Sequence, residues 1–238
     1  MAFVSATKSR VLIGDFNFSP VTASVSGDWP TDMLDFTTIN DAAKVFQPDQ
    51  DTSTAALSGW LDVDATSNLH FDQLNDLKAN TTPEPFTYAP RGFALGTEVW
   101  MAGALAAGFS TGAQVADRVT YSLDLQTDGA TELGISLHDL TAETADGNGT
   151  GYDGGAASSA GGVGHLHVTA FSGFSAASIV IADSADNSSF ATILTFTSVA
   201  GLTQQRSVIT GAVRRYIRYS IDVTGSGSIT FVATFARR

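Results

Sequence analysis

A strict alternation of apolar and polar side chains is the clearest pattern in the chain. Within residues 119–126 the apolar positions are Val119, Tyr121, Leu123 and Leu125, and the polar ones are Thr120, Ser122, Asp124 and Gln126. A period of two predicts a β-strand with one buried and one solvated face. A Thr-Asp-Gly-Ala turn follows at residues 127–130 and the alternation then resumes, which predicts a hairpin over residues 117–139.

One segment has helical spacing instead. Phe71, Leu74 and Leu77 recur every third residue, and Asp72 suits a first helical turn, so we expect a short amphipathic helix over residues 68–78. The prolines within residues 81–85 end it, because proline cannot continue a helix. The pattern therefore predicts one short helix packed on a sheet.

The sequence pattern of the C-terminal third predicts several strands at close spacing. The candidates are residues 165–171, 178–183, 190–196, 213–223 and 228–235, separated by clusters of Gly, Ser, Asp and Asn. Strands of this length at this spacing favour a compact antiparallel sandwich.

Charge divides the chain unevenly. Residues 1–145 hold 19 Asp and Glu against 6 Lys and Arg, whereas residues 146–238 hold 5 against 6. The segment at the boundary is rich in Gly, Ala and Ser, without periodicity. We therefore expect one β-domain over residues 1–145, a linker over 146–163 and a second β-domain over 164–238. The alternative is a glycine-rich loop inside a single larger domain.

The passage from residue 34 to residue 62 is acidic but also apolar. Its apolar members are Leu34, Phe36, Ile39, Val45 and Phe46. A connection of this kind is too apolar for a disordered spacer, so we expect its side chains to cover a surface on a neighbouring molecule.

Composition narrows the function classes. Hydrophobic residues make up 43% and charged residues 15%, as suits a subunit packed among copies of itself. The net charge of −12 argues against a protein that grips phosphate backbones, and the lack of cysteine excludes thiol chemistry and disulfides. No run of about 18 apolar residues occurs and the first ten residues lack an apolar core, so we expect a product made in the cytoplasm without a membrane anchor.

Candidates for catalysis or metal binding are weak. His165 and His167 share a strand face and could offer two imidazoles to a metal, but no third ligand follows at a recognisable spacing, which favours a polar strand face. Asp183, Asp186 and Asn187 have oxygen ligands suited to calcium, but their spacing favours a turn. We therefore predict no enzyme, no metal site and no cofactor.

The order of elements in residues 4–140 resembles the major tail tube proteins of long-tailed, siphovirus-type bacteriophages. The matching pieces are an N-terminal arm leading into Val11-Leu12-Ile13-Gly14, the Asp35-Phe36-Thr37-Thr38 start of a long loop, the strand Leu57-Ser58-Gly59-Trp60-Leu61-Asp62, the short helix and a closing strand pair. The implied fold is an all-β tail-tube sandwich with one flanking helix. The resemblance also implies a virion tail protein, assembled in the host cytoplasm.

Several roles follow from this resemblance. Six copies would form a ring, and rings would stack through the long loop around the tape measure protein and passing DNA, between tail terminator and baseplate proteins. The stacking-loop candidates are Phe36, Ile39, Lys44, Val45, Phe46, Asp49 and Asp51. The lumen-facing candidates are Thr120, Ser122, Asp124 and Gln126. An acidic, polar lining would let DNA slide without tight binding, although half of any antiparallel strand faces solvent in the same way.

Residues 174–190, followed by residues 210–218 with their Arg-Tyr-Ile-Arg strand, are similar to galactose-binding-like, discoidin-type sandwiches. This resemblance implies a C-terminal domain that decorates the outer wall and could bind a host-surface glycan. The alternative function is thus a surface carbohydrate-binding or decoration protein, tested by glycan binding of residues 163–238 alone. Arg214, Arg215 and Arg218 are split between two strand faces and form no single basic patch.

Overall fold

The computed structural model describes residues 6–40, 42–51, 53–62, 70–115 and 117–238. In this part of the chain the structure is almost entirely β, with one α-helix, which confirms the predicted fold class. The elements are β1 (Arg10–Ile13), β2 (Phe16–Asn17), β3 (Thr22–Asp28), β4 (Thr31–Asp35), β5 (Phe46–Asp51), β6 (Thr54–Trp60), α1 (His70–Ala79), β7 (Glu84–Ala89), β8 (Glu98–Gly112), β9 (Thr120–Glu143), β10 (Gly147–Asn148), β11 (Tyr152–Asp153), β12 (Gly162–Ser184), β13 (Ala191–Thr195), β14 (Thr203–Ile209) and β15 (Tyr216–Arg237). None of the described helices is long and apolar enough to cross a membrane.

The chain forms two compact units that are not consecutive in sequence. Unit 1 comprises Met1–Pro20, Glu84–Met101 and Glu132–Arg238, and unit 2 comprises Val21–Pro83 and Ala102–Thr131. This division differs from the boundary predicted at residues 146–163. Unit 2 consists of two segments inserted at separate points in the sequence of unit 1, and the residues on either side of the predicted linker belong to the same unit.

Strand pairing explains why the predicted linker is part of unit 1. β10 pairs with β15 through Gly147 and Ile221, and β11 pairs with it through Tyr152 and Ile217. The glycines serve close packing here: a Cβ atom on Gly149 would lie 2.4 Å from the ring of Tyr219. Composition predicted flexibility because it does not distinguish glycine in a flexible segment from glycine required by a close contact.

Unit 1 contains a sheet in the order β13-β12-β15-β9-β8-β7-β1-β2, and β14 also pairs with β12. Only part of strand β8 and part of strand β9 belong to unit 1. Its central pair is β12 and β15, joined from Gly162↔Arg237 to Ser184↔Tyr216. The strand predictions at residues 165–171 and 178–183 are therefore parts of one strand, interrupted by bulges. At such a bulge a Cβ on Gly227 would lie 2.1 Å from the carbonyl oxygen of Ser172, so this position requires glycine.

Both faces of this central pair are buried. Leu166 and Phe231 belong to the larger apolar cluster, whereas Val163 and Val232 belong to a second cluster with Leu12 and other residues of unit 1. Burial on both faces produces the nearly continuous apolar runs that made the C-terminal strands easy to predict. β15 also pairs with residues 135–143 of β9, so the sheet formed by residues 164–238 continues into strands from earlier in the chain.

Unit 2 contains a sheet in the order β3-β6-β9-β8, with the hairpin β4-β5 beside it in sequence. The predicted alternation in β9 is present: Tyr121, Leu123 and Leu125 are buried, and the residues between them are more exposed. Helix α1 confirms the helix predicted over residues 68–78, whose first two residues lie outside the described part. Its Leu74 is fully buried, and Asp72 lies in its first turn.

The predicted hairpin over residues 117–139 is wrong. β9 is a single strand whose residues 120–126 pair with β6 and whose residues 135–143 pair with β15. Gly129 lies between these two stretches with φ +77°, the conformation that a turn prediction expects of glycine. Here the strand continues through it, because separate partners stabilise its two ends.

Candidate functional site

The hairpin of β4 and β5 carries a concentrated exposed apolar surface. Its strands pair through Leu34↔Gln47 and Asp35↔Phe46. The exposed large apolar side chains of this segment are Met33, Leu34, Phe36, Ile39, Val45 and Phe46. Phe36 is 51% exposed and Ile39 is completely exposed, at 103%. Hydrophobic side chains singly exposed on a surface are ordinary, but six within fourteen residues concentrate exposed apolar area on one hairpin, which favours association.

Local hydrogen bonds order this hairpin where its strands enter the connecting loop. The backbone N–H and the hydroxyl of Thr37 donate to Oδ1 of Asp35 over 2.9 and 2.5 Å, and the N–H of Val45 donates to Oγ1 of Thr37 over 3.0 Å. The N–H of Phe36 donates to the carbonyl of Val45 over 2.9 Å. The hydrogen bonds from Thr37, the side-chain bond first, lower the pKa of Asp35 from its ordinary value. The apolar side chains are thus presented on an ordered frame.

The stacking-loop candidates are placed as follows. Phe36, Ile39, Val45 and Phe46 are exposed on the hairpin, and Lys44 lies 3.9 Å from Asp35 and over the ring of Phe46, 5.7 Å from its centroid. The backbones of Asp49 and Asp51 belong to β5, but their side chains lie outside the described part. The role of these residues in stacking stays a prediction.

The polar face of the unit 2 sheet is built from rows of small side chains. Ser122 of β9 pairs with Ser58 of β6, which pairs with Ser24 of β3. A second row joins Asp124, Ala56 and Ser26, and a third joins Gln126, Thr54 and Asp28. The lumen-facing candidates Thr120, Asp124 and Gln126 are exposed, and Ser122 is half-buried. They do share one solvated face, while their place in a lumen stays a prediction.

Two shallow grooves follow this polar face. One has a volume of about 420 Å³ and includes Thr120 and Ser122 in its lining; the other has about 370 Å³ and includes Asp124 and Gln126. None of the described residues that line them is cationic. One cation contacts a lining residue: the guanidinium of Arg118 lies 5.4 Å from the ring centroid of Trp60. The face therefore offers hydroxyl, amide and carboxylate groups and disfavours contact with a polyanion.

The opposite face of the sheet is apolar. Tyr121 is buried there, its hydroxyl is 2.7 Å from Oγ1 of Thr22, and burial raises the pKa of the phenol to about 12. Helix α1 contacts β8 through an edge-to-face pair of Phe71 and Phe109, and Lys78 lies over the Phe109 ring. These contacts pack helix α1 against β8.

His165 and His167 lie close together in unit 1, as their spacing predicted, but both are completely buried. Each is within hydrogen-bonding distance of Oγ1 of Thr87, His165 through Nδ1 at 3.0 Å and His167 through Nε2 at 2.7 Å. Nδ1 of His167 also donates to the carbonyl of Gly14 over 2.6 Å. Burial lowers the pKa of His167 to about 4 and that of His165 well below its ordinary value.

These contacts identify the two histidines as part of a polar cluster in the core, not as ligands of a metal. No group of three or more His, Asp or Glu in the described residues is arranged to hold a metal ion. Thr87 is the residue that sequence reasoning missed. It lies 78 residues from His165 along the chain, and no spacing signal links the two.

A third histidine was also not assigned a role from the sequence. His138 donates from Nδ1 to the carbonyl of Phe231 over 3.0 Å, stacks on the Phe231 ring at 3.9 Å and places Nε2 3.0 Å from a carboxylate oxygen of Glu143. The hydroxyl of Tyr219 lies 3.4 Å from the same oxygen. These contacts join β9 to β15 in unit 1.

The residues considered as calcium ligands form hydrogen bonds within the protein. Asp183 is buried and accepts hydrogen bonds from the backbone N–H and from Nε of Arg214, both over 2.7 Å. Asp186 accepts from the backbone N–H groups of Ser188 and Ser189, and these bonds lower its pKa. The interpretation as a turn is therefore the one that the contacts favour.

The three arginines that the sequence predicted to be split between two strand faces have separate partners. Arg215 forms two hydrogen bonds with Asp153, over 2.7 and 2.6 Å, which lower the pKa of that carboxyl to about 2. Arg214 pairs with Asp183, and Arg218 lies 4.0 Å above the ring of Phe190. No single basic patch results, and the ring of Phe190 is covered on one face.

No protein-family model and no curated protein matches the chain. Among solved structures it is similar to a chain in the virion of a native gene transfer agent particle, with 8% identity, coverage of 54% of this chain and 97% of that chain, and a TM-score of 0.43. It is also similar to the SPP1 tail tube, with 10% identity, coverage of 55% of this chain and 78% of that chain, and a TM-score of 0.44. A third similar structure is the SPP1 Dit protein, described as a hub adsorption apparatus. It has 10% identity, coverage of 94% of this chain and 98% of that chain, and a TM-score of 0.40. At these identities and TM-scores, we base the function on the side chains of this chain.

Proposed function

We propose that the chain is a structural subunit of a bacteriophage tail tube, in which six copies form a ring and rings stack along an axis. The observation that carries this proposal is the ordered hairpin β4-β5 with its six exposed apolar side chains. Covering apolar surface with another surface lowers the free energy by about 25 cal/mol per Å² of apolar area buried. A second copy of the chain supplies such a surface at every level of a stack.

The hairpin is the contact between successive rings in this proposal. Phe36, Ile39, Val45 and Phe46 supply apolar area, while Lys44 and the acidic residues Asp49 and Asp51 set the orientation by charge. The hydrogen bonds among Asp35, Thr37 and Val45 order the hairpin before it docks, which lowers the entropy lost on association.

The unit 2 sheet supplies the contact within a ring. Among the described strands β3 pairs only with β6, so no strand is paired with its other edge. Such an edge is a template for a strand of a neighbouring molecule. Six sheets joined edge to edge would close into a barrel, with Thr120, Ser122, Asp124 and Gln126 facing its lumen.

The proposed tube would hold the tape measure protein and then conduct DNA during ejection. None of the described residues that line the two grooves carries a positive charge, which supports passage of DNA without tight binding. Tail terminator and baseplate proteins would close its two ends, and the chain would act as a structural protein with no catalytic role.

Binding of a host glycan by residues 164–238 gains no support from a specific contact, since the ring of Phe190 lies under Arg218.

A double variant, Phe36→Ser with Phe46→Ser, tests the hairpin. We expect the purified wild-type protein to form rings or tubes with a central channel in electron micrographs, and we expect the variant to stay folded but unassembled. This substitution is sharper than deletion of residues 41–52, because that deletion also removes β5 and leaves β4 unpaired.

The matched control is Leu133→Ser with Leu202→Ser in unit 1, where both leucines are 57% exposed. This control removes a comparable amount of exposed apolar surface away from the hairpin and should still assemble. Circular dichroism and thermal melting verify that both variants fold. Tubes formed equally well by the hairpin variant, or a wild-type protein that stays monomeric at high concentration even with tail partner proteins, would refute the proposal.

A further inference from the structure

The hydrogen-bond directions around His165 and His167 can be derived from one fixed group. The carbonyl of Gly14 can only accept, so Nδ1 of His167 carries a proton. In the neutral ring Nε2 then carries no proton and accepts hydrogen bonds through its lone pair. The hydroxyl of Thr87 must therefore donate to this nitrogen. The oxygen of Thr87 in turn accepts a hydrogen bond from the Nδ1–H of His165. Neutral His165 therefore carries its own lone pair at Nε2.

This lone pair is buried and accepts no hydrogen bond from any described residue. Two other buried polar atoms share that condition on the neighbouring strands: Nε of Arg206 on β14 and Oγ1 of Thr234 on β15. His165 is paired directly with Arg206 on one side and with Thr234 on the other. Side chains of directly paired residues project from the same face, with Cβ atoms about 4.5–5.5 Å apart. One donor, one acceptor and one hydroxyl thus lie in a single row across three strands.

We infer that Arg206, His165 and Thr234 bind one ordered internal water molecule. The water oxygen accepts the N–H of Arg206, one of its hydrogens is donated to Nε2 of His165, and the other is donated to Oγ1 of Thr234. Three hydrogen bonds are the usual number for an internal water, and such waters occur where buried polar groups lack protein partners. The bound water joins β14, β12 and β15 at the centre of the polar cluster in unit 1.

The chemistry of the row excludes other occupants. A metal cation would be repelled by the guanidinium of Arg206, whose charge already acts on His165. An anion would be repelled by the lone pair at Nε2 of His165. Water is the small ligand that can accept from the first group and donate to the second.

High-resolution crystallography or electron microscopy of the full chain tests the site. We expect a solvent peak about 2.7–3.2 Å from each of the three atoms. The variant Thr234→Ser keeps a hydroxyl and should retain the peak, whereas Thr234→Val has nearly the shape of threonine without the hydroxyl and should weaken it. A map without the peak, a direct hydrogen bond from Nε of Arg206 to His165, or a peak unchanged in Thr234→Val would overturn the inference.

Nitrogen NMR of the wild-type protein gives an independent test that needs no variant. The imidazole shifts should show both His165 and His167 as neutral rings protonated at Nδ1. A ring of His165 protonated at Nε2 would overturn the inference, because that nitrogen could then accept nothing from water.

Discussion

His167 links three segments of unit 1 that lie far apart in the sequence. Its ring belongs to β12, donates to Gly14 after β1 and accepts from Thr87 of β7. An imidazole can do this only when it is neutral, with one nitrogen as donor and the other as acceptor. The contribution of His167 to stability therefore depends on its protonation state.

Acidification should destabilise the protein through these histidines. The pKa of His167 is about 4 in the folded chain, against 6.5 as the ordinary value, so the unfolded chain binds more protons between these two pH values. Stability is retained above pH 6.5 and is lost as the pH falls towards 4, by up to about 3 kcal/mol for His167 alone. His165 acts in the same direction.

Chemical denaturation at several pH values measures this effect. The window from pH 6.5 to 5 is the most informative, because most carboxyl groups stay ionised there. The variant with His165→Gln and His167→Gln should show a smaller change across the same window. A wild-type free energy of unfolding that is equal at pH 7 and pH 5 would contradict the expectation.

Residue-scale prediction from the sequence was limited by distance along the chain. The i, i+2 spacing correctly placed His165 and His167 on one strand face, because that relation is local. Their partner Thr87 and the pairing of Asp183 with Arg214 depend on which strands meet, and no local pattern contains that information.

β9 shows how an element depends on its partners. Its first half pairs with β6 and its second half with β15, and Gly129 lies between them with φ +77°. The Thr-Asp-Gly-Ala segment has the composition of a hairpin turn. A hairpin requires the two halves to pair with each other, and here other strands occupy both. Alternation within each half was predictable, whereas the continuity of the strand was not.

Substitution of Gly129 tests this unusual position. Gly129→Ala should reduce the free energy of unfolding by about 1–2 kcal/mol, because a Cβ atom disfavours positive φ. The control is Gly108→Ala in β8, which has ordinary φ; no atom lies within 4 Å of the added Cβ at either position. Chemical denaturation of both variants should therefore separate backbone strain from steric contact, and an equal loss in both would show that φ is not the cause.

The whole molecule combines an acidic charge with a polar sheet face, and the proposed tube depends on that combination. Asp124→Lys would place one cation per subunit in the lumen. We expect assembled tubes of this variant to retain duplex DNA that wild-type tubes release, with retention falling as salt rises. Cosedimentation of DNA with tubes provides the measurement.

The control for this charge reversal is Asp139→Lys, because Asp139 is exposed in unit 1 and is not a lumen-facing candidate. It changes the net charge of the chain by the same amount. Equal retention of DNA by both variants would mean that position on the polar face is unimportant.

The interleaved sequence of unit 1 makes the C-terminal residues dependent on earlier ones. Expressed alone, residues 146–238 lack the β9 partner of β15 and expose Val163 and Val232, which are buried in the whole chain. We expect this fragment to aggregate or to give poorly dispersed NMR spectra, and co-expression of residues 1–145 to restore folding. A monomeric fragment with well-dispersed signals would contradict this expectation.

The order of the two units along the chain also determines when each can fold during translation. All residues of unit 2 have been synthesised once Thr131 is added, whereas unit 1 requires β15, more than eighty residues later. The ribosome therefore exposes the apolar hairpin β4-β5 while unit 1 is still incomplete. A nascent chain that polymerised at this stage would be trapped unfinished, so in the proposed tube the hairpin would have to bind its partner surface weakly until complete subunits can engage together.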